Sequence, residues 1–291
     1  MNLPNVFFIT CDESQYILPV TDYLMNKYAT KLNVNYLGYT NPNYKLSDNS
    51  KFIELNNGNQ RNVNNWFSDL FNYFSSIDDE YVIFTVDDNP IVEYLDYDSL
   101  HVAMDFMRNN KQIGILFCHP LDENSDNPIS YENENYKFFY LGVYGHKTTS
   151  QMNIWKRTTL LNVLSSNYNN LVGFETQSEK YLFEDKVAFL KNKFLLPACG
   201  FTLCSDNRNN GYVFVLPLKP EDITYCIENN LLDKNKINYN NSHTYVFPYD
   251  YFNGNFNYDK MRQYIKENNW DENNLGWNDI TTWINRFPSH I

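Results

Sequence analysis

Two adjacent carboxylates, Asp87 and Asp88, followed by Asn89 and Pro90, come directly after the nearly unbroken apolar run YVIFTV at residues 81–86. Carboxylate and amide oxygens are hard donors, a set that suits Mn2+ or Mg2+ rather than a soft metal. A short run this apolar reads as a strand covered on both faces. In open α/β sheets, ligands bind beyond the carboxyl ends of such strands. The spacing therefore sets two acids where a cation and its phosphates would sit, although the same residues also suit an ordinary solvated turn. The chain carries 23 Lys+Arg against 35 Asp+Glu, a net charge of −12. A protein this acidic needs a cation to hold phosphates.

Thr10, Asp12 and Glu13 follow another apolar run and, at a strand end, would face a nucleotide; a turn with a helix cap accounts for them equally well. Cys118 and His119 adjoin, but no glycine motif for an oxyanion or orienting acid accompanies them, so a thiolate nucleophile lacks support. The five cysteines are scattered, odd in number and without a CxxC pair, which points to reduced thiols; Cys199 and Cys204 lack zinc-site spacing. His146, His243 and His290 are isolated. No GxGxxG or GxxxxGK[ST] is present, which removes the main support for dinucleotide oxidoreductases and P-loop kinases. The negative charge offers no basic stripe for nucleic acid.

The elements that must position these residues follow from periodicity. Residues 6–10, 32–37, 51–55, 81–86 and 113–117 read as strands. They alternate with helical patterns over 16–28, where Pro19 is tolerated only near the first turn, over 63–76 and over 98–108. In 63–76 the stripe of Val63, Trp66, Phe67, Leu70, Phe71 and Phe74 is core. This alternation predicts βα units around a largely parallel sheet. After Cys118 the pattern changes: 119–135 is polar, 138–144 alternates as an edge or antiparallel strand, and helices are expected over 160–165 and 176–190. A late strand over 211–216 and helices over 221–229, 258–268 and 278–287 complete the reading. The chain has 43% hydrophobic residues, 17% aromatics, 10 Gly and 11 Pro in 291 residues, enough apolar material for a sizeable core. Asn makes up about one residue in six, a bias that matches AT-rich codons in a virus or low-GC bacterium and needs no functional explanation.

Several stretches in the expected order resemble the GT-A glycosyltransferases, the Rossmann-like type that uses nucleotide sugars. VFFITCDES resembles the family's first strand and turn. YVIFTVDDNPIVEYLDYDSL resembles its strand, DxD-type acidic motif and following helix, with Asn89 as a departure from strict DxD. SQMNIWKRTTLLNVL followed by GFETQSEKYL resembles small bacterial and viral members, in which a Gln and a Trp precede one helix and a Phe-Glu opens the next. The likeness spans roughly residues 6–190. It implies Asp88 as the main metal ligand, Asp87 on the metal or ribose and Asn89 assisting. It also implies Glu175 as the general base, opening a helix whose N-terminal dipole favours a carboxylate. Arg61 and Asn65 resemble residues directed toward the nucleotide. Gln151 and Trp155 would shape the sugar or acceptor pocket, with Trp155 either stacking on a pyranose or belonging to the core.

The expectation is an α/β fold, GT-A and Rossmann-like, with a mixed sheet flanked by helices over residues 1–200. A mostly helical C-terminal extension over 201–291 is expected to pack on the acceptor side. The resemblance implies Mn2+- or Mg2+-dependent transfer of a sugar from a nucleotide-diphosphate donor, foremost a UDP-sugar, to a saccharide-type hydroxyl, with inversion if Glu175 is the base and with retention as the alternative. A nucleotidyltransferase and a noncatalytic carbohydrate-binding or assembly protein are the alternatives; the first would want a Gly-rich basic loop after the first strand, which CDESQ is not. No run of about 18 apolar residues and no signal-peptide pattern is present. The expected location is cytoplasmic, the host cytoplasm for a viral source.

Overall fold

The computed structural model describes residues 3–58, 66–118, 128–129, 136–141, 148–166, 168, 171–190, 195–196 and 220–232. The strands are β1 (Asn5–Ile9), β2 (Val34–Gly38), β3 (Ser50–Glu54), β4 (Tyr81–Val86), β5 (Ile113–Phe117), β6 (Pro128–Ile129), β7 (Phe138–Tyr140), β8 (Asn153–Lys156) and β9 (Lys186–Leu190). The helices are α1 (Leu18–Tyr28), α2 (Trp66–Ser76), α3 (Tyr97–Asn109), α4 (Arg157–Leu164), α5 (Leu171–Gln177) and α6 (Pro220–Glu228). The strands form one mixed sheet in the order β3-β2-β1-β4-β8-β5-β9-β7-β6. The β3-β2-β1-β4 half is parallel throughout. β8 runs antiparallel between β4 and β5, and β9 returns parallel to β5. This is the expected α/β Rossmann-like mixed sheet with flanking helices, of which the alternation by itself predicts the parallel part.

Strand alternation divides the core in two. Val6 and Phe8 of β1 point to one face and pack with Leu24 and Met25 of α1 and Met104 of α3. Phe7 and Ile9 point to the other and pack with Phe67, Leu70 and Phe74 of α2 and with Phe174 of α5. Both faces are covered, which explains why β1 and β4 carry near-continuous apolar runs. Pro19 falls in the first turn of α1, where a missing amide hydrogen costs nothing. Asp96 caps α3 by accepting from the Ser99 amide at 3.1 Å.

Two expectations are corrected beyond β5. The residues 176–190 do not form one helix: α5 ends at Gln177, a 3-10 turn spans Ser178–Tyr181, and β9 takes Lys186–Leu190 into the sheet. Val187, Ala188, Phe189 and Leu190 are all buried, as a strand with neighbours on both sides requires. β8 is the second difference from the sequence pattern, because four residues running directly into α4 carry no period of their own. The expected late strand at 211–216, the helices at 258–268 and 278–287 and residues 63–65 and 142–144 lie outside the described residues.

α6, the described part of the C-terminal region, is fastened to α1 by a buried acid. Asp222 is fully buried. It accepts from the Tyr23 hydroxyl at 2.9 Å, the Tyr28 hydroxyl at 2.5 Å and the Lys27 ammonium at 2.5 Å. Tyr225 stacks on Tyr23 with ring centroids 4.4 Å apart. No helix among the described residues is long and apolar enough to cross a membrane.

Candidate functional site

The strand order reverses between β1 and β4, since β2 and β3 extend to one side and the later strands to the other. The crevice beyond the carboxyl ends at such a reversal is where doubly wound sheets take ligands. Asp87 and Asp88 sit there. The Asp87 amide extends the ladder by donating to the Ile9 carbonyl at 3.0 Å, and its own carbonyl accepts from the Thr21 hydroxyl of α1 at 2.7 Å. The acidic turn is thus held by β1 and α1 together.

Asp87 is buried to 6% exposure and Asp88 is partly buried. Burial, with the Asp87 charge beside it, pushes the Asp88 carboxyl up to about 7. Asn89 is 2% exposed. Its Nδ2 donates to Thr85 Oγ1 at 3.1 Å, while its Oδ1 accepts no hydrogen bond among the described residues. Two carboxylates crowded at a strand end and an amide oxygen without a partner are groups that a hard divalent cation would satisfy, so the donor set fits Mn2+ or Mg2+. No three His, Cys, Asp or Glu side chains converge as a metal cage among the described residues.

Thr10 and Asp12 occupy the same edge, one strand over. Thr10 is buried, with its amide on the Leu37 carbonyl at 2.9 Å and its hydroxyl on the Cys11 carbonyl at 3.4 Å. Asp12 is exposed and directs both oxygens at Thr40, to the hydroxyl at 2.8 Å and the amide at 3.3 Å, clasping the loops that follow β1 and β2. A Cβ on Gly38 would come within 2.8 Å of Thr10 Cγ2 and Phe52 Cζ, so only glycine lets β2 end this close to Thr10. The Glu13 side chain, Arg61 and Asn65 lie outside what is described.

Glu175 reaches this edge from the other side. Its Oε1 accepts from the Ser150 amide at 2.8 Å, the Ser150 hydroxyl at 2.6 Å and the Thr149 hydroxyl at 3.4 Å. Residues 148–150 lead into β8, whose first residues lie opposite the end of β4. One expectation is corrected: Glu175 does not open a helix but is the fifth residue of the seven in α5. The helix N-terminus therefore does not hold its carboxylate; the Ser150 donors do. Sequence spacing offered no sign of Ser150 or Thr85 as part of the site, because their role depends on β8 lying beside β4.

Gln151 is exposed just before β8, with its amide on Thr149 Oγ1 at 3.2 Å. Trp155 is the second correction. It is fully buried in β8, its ring 6.0 Å from Phe84 and 6.2 Å from Phe174, and presents no face to a sugar. It belongs to the core because β8 sits between two parallel strands. Cys118 is likewise buried, and burial pushes its thiol far above the range of a nucleophilic cysteine. Cys118 and Cys226 are free thiols. A separate cleft of about 850 Å³ beside β7 and β9, lined by Tyr140, Gln177, Lys180 and Phe183 among others, contains none of Asp87, Asp88 or Glu175.

No protein-family model matches the chain and no curated protein matches it. Among solved structures it is similar to TarS 1-349 of S. aureus, at 15% identity and TM-score 0.38 over 65% of this chain and 58% of that one. It is also similar to the mannosyltransferase PcManGT of Pyrobaculum calidifontis in complex with GDP-Man and Mn2+, at 11% identity and TM-score 0.38 over 66% and 55%. A third is a cytidylyltransferase of Leptospira borgpetersenii, at 9% identity and TM-score 0.38 over 80% and 98%. The chain thus spans a little over half the length of the first two.

Proposed function

We propose that this protein is a glycosyltransferase of the GT-A type that moves a sugar from a nucleotide-diphosphate donor, foremost a UDP-sugar, to a saccharide-type hydroxyl. The observation that carries this reading is the meeting of two groups at one sheet edge. The paired acids end central strand β4, and Glu175 is bonded to Ser150 at the strand beside it. Asp87 and Asp88, with Asn89, would hold the divalent cation, and Thr10 and Asp12 flank the space for the nucleoside. Gln151 stands on the acceptor side, and Arg61, Asn65 and Glu13 remain donor-side candidates from the sequence alone.

A divalent cation there would neutralise charge on the departing diphosphate. The chain's own part is to orient donor and acceptor and to move one proton. Oε2 of Glu175 takes the proton of the acceptor hydroxyl as its oxygen bonds to the anomeric carbon. The carbon–phosphate oxygen bond breaks, and the nucleoside diphosphate leaves with the electron pair. A single displacement of this kind inverts the anomeric centre.

The test pairs turnover with binding. NDP-sugars are screened for hydrolysis and for transfer to saccharides, and melting is followed with UDP and Mn2+. At a hundredfold excess over Kd, binding adds about 2.7 kcal/mol, or roughly 5–11 °C in Tm for a domain of this size. Asp88→Ala is expected to abolish the Mn2+-dependent part. An unchanged shift in that variant would remove the acidic turn from the site, and the absence of any shift in the native protein would favour a noncatalytic role. Incorporation of a nucleotide from an NTP and a sugar phosphate would favour nucleotidyl transfer instead.

A further inference from the structure

The polar atoms between the acidic turn and Glu175 form one unbroken line. Asn89 Nδ2 donates to Thr85 Oγ1 at 3.1 Å, and the Thr85 hydroxyl donates to the Ser150 carbonyl at 3.2 Å. The Ser150 amide and hydroxyl then donate to Glu175 Oε1 at 2.8 and 2.6 Å. Thr85 is fully buried, Asn89 is 2% exposed and Ser150 9%. Water has little access to the two bonds of Thr85, and a satisfied network in a low-dielectric interior is stiff. Thr85 points from the middle of the sheet, where valine would fill the same volume without a polar atom. Its hydroxyl serves both neighbours in the line.

The line also sorts the two oxygens of the carboxylate. Every hydrogen bond to Glu175 from the described residues falls on Oε1. Three donors on one oxygen fix the side-chain torsion and leave Oε2 as the oxygen with lone pairs to spare. A base works when its accepting atom is held within hydrogen-bond reach of the proton, and displacements near 1 Å cost about a hundredfold in rate.

We propose that Thr85 and Ser150 are positioning residues for sugar transfer: they lock Oε1 of Glu175 and tie it to the turn bearing Asp87 and Asp88, leaving Oε2 to take the acceptor proton. This rests on the glycosyltransferase reading above. Neither residue touches the donor or acceptor; both act through Glu175.

The experiment compares Thr85→Val and Ser150→Ala with the conservative Thr85→Ser and Ser150→Thr in steady-state transfer, and records the UDP–Mn2+ thermal shift of each. Thr85→Val and Ser150→Ala are expected to lower kcat by about 10- to 100-fold with donor KM and thermal shift unchanged. Thr85→Ser and Ser150→Thr, which keep the hydroxyl, are expected to stay within a factor of about three, well short of that loss. In a Glu175→Gln background, Thr85→Val should cause no further loss, because the group being positioned is gone. Native kcat in both hydroxyl-free variants overturns the proposal, as does an equal loss from Thr85→Val with and without Glu175. Should Thr85→Val fail to fold, Ser150→Ala with its Thr partner decides alone. Failure of the native protein to transfer any sugar defeats the underlying reading and this proposal with it; native transfer with indifferent variants defeats only the positioning.

Discussion

Replacing Glu175 by glutamine removes a negative charge and a proton acceptor while keeping the shape of the side chain. The glutamine carbonyl can still receive the Ser150 amide and hydroxyl now at 2.8 and 2.6 Å. What changes for stability is that two charge-assisted bonds become neutral ones, a difference of about 1 kcal/mol each. Part of that is returned by rehydration at this partly exposed residue. The expected loss is therefore about 1–2 kcal/mol, a fall in Tm of roughly 2–8 °C at this domain size. Catalysis should suffer far more. General bases contribute about 10²–10⁴ in rate, or roughly 2.7–5.4 kcal/mol of barrier. The assay is single-turnover transfer from the donor found by screening, read with the UDP–Mn2+ thermal shift on the same preparations. The expected result is intact donor binding, a small loss of Tm and a rate at least a hundredfold lower. Transfer within threefold of native would remove Glu175 as the base. Loss of donor binding together with the rate would show that the carboxylate builds the pocket and does not move the proton.

Two further predictions concern stability. Asp222→Asn keeps the size of the side chain but leaves the Lys27 ammonium without its buried counter-charge. Because 26% of the Lys27 side chain is exposed, the cost should fall toward or below the lower end of the usual range for a broken buried pair, at about 2–4 kcal/mol by urea denaturation; a change under about 0.5 kcal/mol would mean α6 is not held by this contact. Stability should also fall as pH rises above 9. Burial raises the Cys226 thiol from 9.0 to about 12, with the Asp222 charge adding to it, and raises the Tyr168 hydroxyl from 10.0 to about 12. The folded state therefore keeps protons that the unfolded chain gives up. The cysteine contribution is whole below pH 9 and the tyrosine contribution below pH 10, and both are lost as pH approaches 12. Each costs up to about 1.4 kcal/mol per pH unit within its window. Urea midpoints measured at pH 8, 10 and 11 should decline with increasing slope, and a flat series would refute the assignment.

Much of the first half was legible in the chain because its signals are local. YVIFTV announces a strand buried on both faces, and the Trp66 to Phe74 stripe announces a helix against it. The acids that follow YVIFTV could be placed at a strand end from their position alone. Glu175 is singled out only through resemblance, and its surroundings differ from the helix opening that the resemblance implies. Whether a short segment becomes the end of a helix or the start of a strand depends on which neighbours bury it. Residues 176–190 carry helix-forming side chains, yet β5 offers Val187 to Phe189 a ladder and a buried face, and that burial outweighs propensity.

The sequence by itself determined the class of fold, the two-sided core and the rim position of Asp87 and Asp88, since each depends on side chains close together along the chain. Only the tertiary structure decided that Trp155 is core and that Ser150 and Thr85 stand between the acids and Glu175. The insertion of β8 antiparallel between β4 and β5 brings residues 85, 150 and 175 together. Hydrogen bonds spanning 65 and 25 residues leave no periodic trace in a sequence, because their energy depends on proximity in space and not on spacing along the backbone.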